Sequence, residues 1–229
     1  MKRNPAILLA ALVAAMAAAP APADQVVPLV AGENFFGLAC MPGDLHLAAI
    51  VRGANLPRGT VLQHYNASAE PAGRHDLDDD VMLVPGLGYA LVLPGGSANQ
   101  ALTIRGAPVT GDIRVEIHGT DGATNYTVLA WPRSAPVAVK DAGLVEAGLA
   151  GGVNVMQSDE IRVLDNSKGM GSVTAPKARI WIKDGALQFS LQSDDSAGDY
   201  QIQPGEVVIV VRKRGPSLTW TVPPSAAAP

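Results

Sequence analysis

The sequence predicts an all-β protein of antiparallel, sandwich-like architecture, organised as two small β domains behind an export signal. Three observations lead there. Apolar residues alternate with polar ones at a period of two in several stretches, the pattern of strands with one face in a core and one in water. Glycine and proline are frequent, at 24 and 18 of 229 residues, and many fall between those stretches as turn pairs. With 48% hydrophobic and 17% charged residues, the chain carries enough apolar side chain for a substantial core, which excludes disorder over most of its length.

Charge and cysteine content narrow the function classes. The 17 basic and 21 acidic residues include no long basic run, which argues against nucleic-acid binding through phosphate neutralisation. One cysteine excludes an intrachain disulfide framework and a cysteine-rich zinc site.

Residues 1–23 read as a signal peptide. Met1, Lys2 and Arg3 form a positive start, and residues 7–19 are an apolar stretch too short for a membrane span. Ala21-Pro22-Ala23 supplies small residues at a cleavage site before Asp24. Cys40 stands too far from that stretch to serve as a lipid anchor. No later run approaches the roughly 18 apolar residues of a membrane helix, so the processed chain is expected to lack a membrane span. Export with a lone thiol fits the periplasm or surface of a Gram-negative bacterium. The sequons at Asn66 and Asn125 would mark exposed loops only in a eukaryotic secretory route.

An N-terminal β domain is expected over residues 24–131. Residues 45–51 and 81–84 read as strands, and Ile113, Val115 and Ile117 alternate with Arg114, Glu116 and His118. Turns are expected at Pro85-Gly86, Pro94-Gly95-Gly96 and Asp121-Gly122. Residues 132–136 read as a Pro-rich linker, because Pro132 and Pro136 resist a central strand. All four histidines and the cysteine precede it, so the halves read as different domains rather than a duplication.

A C-terminal β domain is expected over residues 137–222. Residues 142–150 are the one candidate helix, weakened by Gly143 and Gly148. Ala178, Ile180 and Ile182 share a face, Asp184-Gly185 is a hairpin turn, and Leu187, Phe189 and Leu191 alternate after it. Residues 207–211 are apolar on both faces and read as a central strand, with a turn at Pro204-Gly205 before them. Leu218, Trp220 and Val222 alternate into a core. Residues 223–229 read as a disordered tail. The whole amounts to roughly 13–16 short strands at the spacing of sandwiches or barrels.

Chemistry-bearing groups are few. In His75-Asp76-Leu77-Asp78-Asp79-Asp80, Asp76, Asp78 and Asp80 recur at every second position, as ligands of a hard cation do, and calcium is the ion they would take. Val81 and Leu87 occupy the positions where an EF-hand has its glycine and bidentate glutamate, and the plainer reading is a solvated acidic loop. The polar loops at residues 165–169 and 193–199 have the same plain reading. No two histidines share zinc-ligand spacing, and Cys40 lacks the upstream histidine of a copper site. His46 and His118 read as surface or rim residues. Cys40, with His46 or His64 as base, would be the thiol nucleophile of a hydrolase, but its apolar neighbours favour a small buried cysteine. Trp181 projects with Arg179 and Lys183 from the polar face of its strand. That is the composition of a partner-contact hot spot, or of a face buried against the neighbouring domain.

Two stretches resemble known families. Residues 111–129 (GDIRVEIHGTDGATNYTVL) are similar to the last two strands of bacterial pre-peptidase C-terminal β-sandwich domains, with Ile113 in place of the usual aromatic. That likeness implies a non-catalytic accessory domain of secreted proteins. Residues 178–211 resemble the periplasmic β domain of ferric-citrate-type anti-sigma regulators. The shared pattern is strand, Asp184-Gly185, strand, spacer, Pro204-Gly205-Glu206 and a further strand. Neither likeness carries functional residues across to this chain.

The combined reading is an exported, non-enzymatic β-sandwich module that binds or assembles with another exported or envelope protein, without a cofactor. A calcium- or glycan-binding adhesion module using residues 76–80 and a secreted hydrolase are the alternatives.

Overall fold

The computed structural model describes residues 23–65, 71–165, 176–190 and 196–224. The expected leader before Ala23, the sequon at Asn66, residues 166–169, Leu191, the acids Asp194 and Asp195, and the tail beyond residue 224 lie outside the described residues. The regular structure of the described chain is nearly all antiparallel strand, as the alternation requires. The first strands are β1 (Ala23–Leu29), β2 (Gly32–Phe36), β3 (Cys40–Met41), β4 (Val61–Tyr65) and β5 (Pro71–Asp76). Then come β6 (Tyr89–Leu93), β7 (Gln100–Pro108), β8 (Arg114–Ile117), β9 (Asn125–Ala130) and β10 (Val137–Ala138). The last are β11 (Glu160–Val163), β12 (Ala178–Lys183), β13 (Ala186–Phe189), β14 (Gln201–Ile202), β15 (Val207–Arg212) and β16 (Leu218–Thr221).

Sheets β1-β7-β3 and β2-β6-β4-β5 enclose the first core, which includes Phe36, Leu62, Leu91, Leu102 and Ile104. A five-stranded sheet, β13-β12-β11-β15-β9, and the pair β16-β8 share the second core, built on Trp131, Ile180, Val210 and Trp220. The two sandwiches meet sheet to sheet. Phe35 and Ala90 of the four-stranded sheet pack with Val128, Val207, Ile209 and Val211 in a third buried cluster. The strand β15 is therefore buried on both sides. Val208 and Val210 face the second core, while Val207, Ile209 and Val211 face the first sandwich. Its unbroken apolar run is the consequence.

The contact between sandwiches is close. Gly37 donates its N–H to the Gly205 carbonyl at 3.1 Å, and Gly88 donates to Val128 at 3.0 Å. A Cβ on Gly37 would stand 2.0 Å from the Cβ of Ala130, so only glycine fits there. Strands β8 and β9, from before residues 132–136, pair with β16 and β15 from after them. Residues 131–136 are themselves packed. The Trp131 indole donates to Ala135 O at 2.6 Å, and the Arg133 guanidinium, 2% exposed, donates to the carbonyls of Val109, Gly111, Val222 and Pro223.

Two local expectations, strands at residues 45–51 and 81–84, are corrected, and the weak helix candidate at residues 142–150 is not a helix. Residues 45–51 hold a single helical turn, α1 (Leu47–Ile50), in place of a strand. Asp44 Oδ1 accepts the His46 N–H at 2.9 Å and turns the chain, and Leu47 and Ile50, three apart, then enter the first core together. Residues 81–84 make one isolated bridge, Met82 to His46, rather than a strand. Residues 142–150 form turns, with Gly143 and Gly148 at φ 74° and 104°, and a 3₁₀ turn at Val139–Asp141 precedes them. The hairpin at Asp184-Gly185 is as expected. Both residues take positive φ, 50° and 84°, and they join β12 to β13.

Candidate functional site

The pleat of the five-stranded sheet sorts its side chains onto two faces. Ile161, Ile180 and Val210 share a row toward the second core. On the opposite face Arg162 lies between Arg179 and Ile209, and Glu160 lies between Trp181 and Val211. Trp181 is in turn paired with Gln188 of β13. Toward β9 and β15 this outer face is covered by Phe35 and Ala90. Toward β12 it is uncovered among the described residues, and Arg162, Arg179, Trp181 and Lys183 are half-buried there. Trp181, Arg179 and Lys183 thus share a face, as their alternation in the sequence implies.

Beneath them lies a feature the sequence reading passed over. Asp159 and Glu160 are each 1% exposed. Glu160 Oε2 accepts from Arg179 Nη2 at 2.8 Å and from Arg162 Nε at 3.1 Å, while Oε1 accepts from Lys213 Nζ at 2.7 Å. Asp159 accepts from the N–H of Ala150 at 2.7 Å, the N–H of Lys213 at 2.8 Å and Arg212 Nη1 at 3.0 Å. Burial pushes the Glu160 carboxyl up, but bonds from Lys213 and Arg179 and the Arg162 charge outweigh it, and the group ends below its ordinary value. Arg212 pairs with Asp159 one to one, whereas three cations converge on Glu160. Among the described residues, the surroundings of Glu160 therefore hold more cations than carboxylates, beside an indole. Arg162 also lies over the Tyr126 ring, 6.0 Å from its centroid. The sequence signal was present in Ser158-Asp159-Glu160 entering an apolar strand, but the cations come from β11, β12 and the end of β15.

The other candidates are separate from this face. Asp76 closes β5, and its N–H donates to Asp79 Oδ2 at 2.9 Å. Asp80 Oδ1 stands 3.3 Å from His46 Nε2, and Asp78 is exposed in the turn. His46 Nδ1 meets Asp44 Oδ1 at 2.6 Å, and that bond raises the His46 pKa. Among the described residues no three His, Cys, Asp or Glu side chains stand together as a metal site. Cys40 is 1% exposed in the first core, its Sγ donating to Ile104 O at 3.5 Å, and burial pushes its thiol pKa up. No histidine lines the cavity of about 270 Å³ beside it. An open groove of about 520 Å³ runs between α1 and the outer face of β7, where Asp44, Arg52, Thr103 and Arg105 line it. The strands β4 and β5 bring His64 and His75 side by side, with ring centroids 5.3 Å apart, although 11 residues separate them in the chain.

Comparison with protein-family models, with curated proteins and with solved structures returns no match for this chain.

Proposed function

We propose that the chain is an exported, non-enzymatic β-sandwich module that binds another exported or envelope protein through the open face around Trp181. The observation that carries this reading is the half-buried Trp181 beside Arg179 and Arg162, on a sheet face whose neighbouring half is already used for sheet-to-sheet packing. Tryptophan and arginine are the residues that most often dominate protein contacts. The cations around Glu160 are held in place by it, so a partner would meet a charge pattern ordered in advance. Two further facts support a binding role. The thiol of Cys40 is buried with a raised pKa, and both carboxylates of residues 159 and 160 are saturated by donors. Export is supported by the leader pattern of residues 1–23. The periplasm or surface of a Gram-negative bacterium is the compartment proposed.

A photo-crosslinking amino acid at position 188, opposite Trp181, tests the reading in cells that export the chain. The expected result is a discrete protein adduct that is absent when the crosslinker stands at position 103, on the outer face of β7. That adduct should be lost on Trp181→Ala. Equal adducts from both positions, or none from 188, would overturn it.

A further inference from the structure

We propose that His64 and His75 form a binding site for a divalent transition-metal ion of the zinc or copper type. This site lies on a different sheet from Trp181 and does not depend on the binding role of that face. The antiparallel register sets His64 opposite Gly73 and His75 opposite Leu62, which puts both imidazoles on one side of the β4–β5 ribbon. They meet above Gly73. A Cβ at that position would stand 2.2 Å from His64 Cε1 and 2.8 Å from both His64 Nδ1 and His75 Nε2, so the missing side chain makes the space in which the nitrogens face each other.

The separation of those nitrogens is the quantity that points to a metal. His64 Nδ1 and His75 Nε2 are 3.3 Å apart, and the ring planes are inclined by only 19°. Two imidazole nitrogens each about 2.0–2.1 Å from a tetrahedral zinc ion stand about 3.3–3.4 Å from each other. The cation then takes the place of the proton between the facing nitrogens, and that proton passes through solvent to His64 Nε2, so that both rings ligate as neutral imidazoles. On the far side of the His75 ring, Nδ1 faces Asp79 Oδ2 at 3.8 Å. At that distance no hydrogen bond forms, but the carboxylate's charge favours a proton on Nδ1 over one on Nε2. Both rings are half-buried, which leaves the remaining coordination positions to water.

Isothermal titration of the EDTA-treated chain with ZnCl2, and separately with CuCl2, tests the site. One-to-one saturable binding is expected, weakened at least tenfold by His64→Gln and by His75→Gln, and unchanged by His46→Ala or His118→Ala. Circular dichroism establishes that each variant is folded, and the nitrogen hyperfine pattern of bound copper reports two imidazoles without any substitution. Absence of saturable binding, binding that survives both glutamine variants, or binding lost with His46→Ala would overturn the proposal.

Discussion

The outer face of the five-stranded sheet has two halves that share one pleat and one set of strands but have opposite chemistry. Near β9 and β15 it presents Val128, Val207, Ile209 and Val211, packed dry against Phe35 and Ala90. Near β11 and β12 it presents Arg162, Arg179 and Trp181 around the Glu160 carboxylate, which water does not reach. The first half is held by area removed from water, about 25 cal/mol per Å² of apolar surface. The second is held by completed charge pairs, in which each member is costly without the other. One sheet can thus use one end for internal packing and keep the other as an ordered polar surface.

Breaking the buried charge pair where β11 begins, on the second-core side of the same sheet, should have the larger effect. Asp159→Ala would leave the Arg212 guanidinium, with a side chain 6% exposed, facing no anion. A loss of about 3–5 kcal/mol is expected, read from the shift of the urea midpoint at constant slope. Ile209→Ala, in the dry half, removes buried methyl groups and opens a cavity between the sandwiches, and about 2–4 kcal/mol is expected by the same measurement. If the second loss exceeds the first, packing rather than charge completion dominates the sheet.

Acid sharpens the comparison further. The Glu160 pKa is depressed in the fold from its ordinary value of 4.5, so its stabilising contribution is complete above that value and is lost as pH falls toward its lower, folded value. Stability should therefore decline below about pH 4.5, and the slope of that decline should be shallower in Glu160→Gln. A variant as acid-sensitive as the parent would place the effect on other carboxylates. The smallest effect on folding is expected from Trp181→Ala, within about 1 kcal/mol, because its side chain is only half-buried. That same change should abolish the adduct from position 188, which separates a binding role from a packing one.

How much was legible depended on distance along the chain. The hairpin at Asp184-Gly185 needs only two residues that accept positive φ, and it appears where expected. The shared face of Arg179, Trp181 and Lys183 needs only a strand, and it too was readable. Residues 45–51 were misread because their apolar spacing serves a strand and a helical turn alike, and the Asp44 side chain decides between them. Asp159 and Glu160 read as ordinary polar residues because the groups that make their burial affordable stand up to 54 positions away. The proximity of His64 and His75 was hidden for the same reason, since it depends on the β4–β5 register and on the glycine at 73.

By itself, then, the sequence determined the all-β class, the doubly buried character of β15 and the inward or outward side of each alternating residue. Those properties follow from a two-residue period that any short segment carries within it. Only the tertiary structure decided which outward faces are covered, which acids are buried and which histidines meet. Coverage depends on strand partners and sheet packing between distant segments, and the side-chain period of a single strand is the same whether another sheet lies across it or water does.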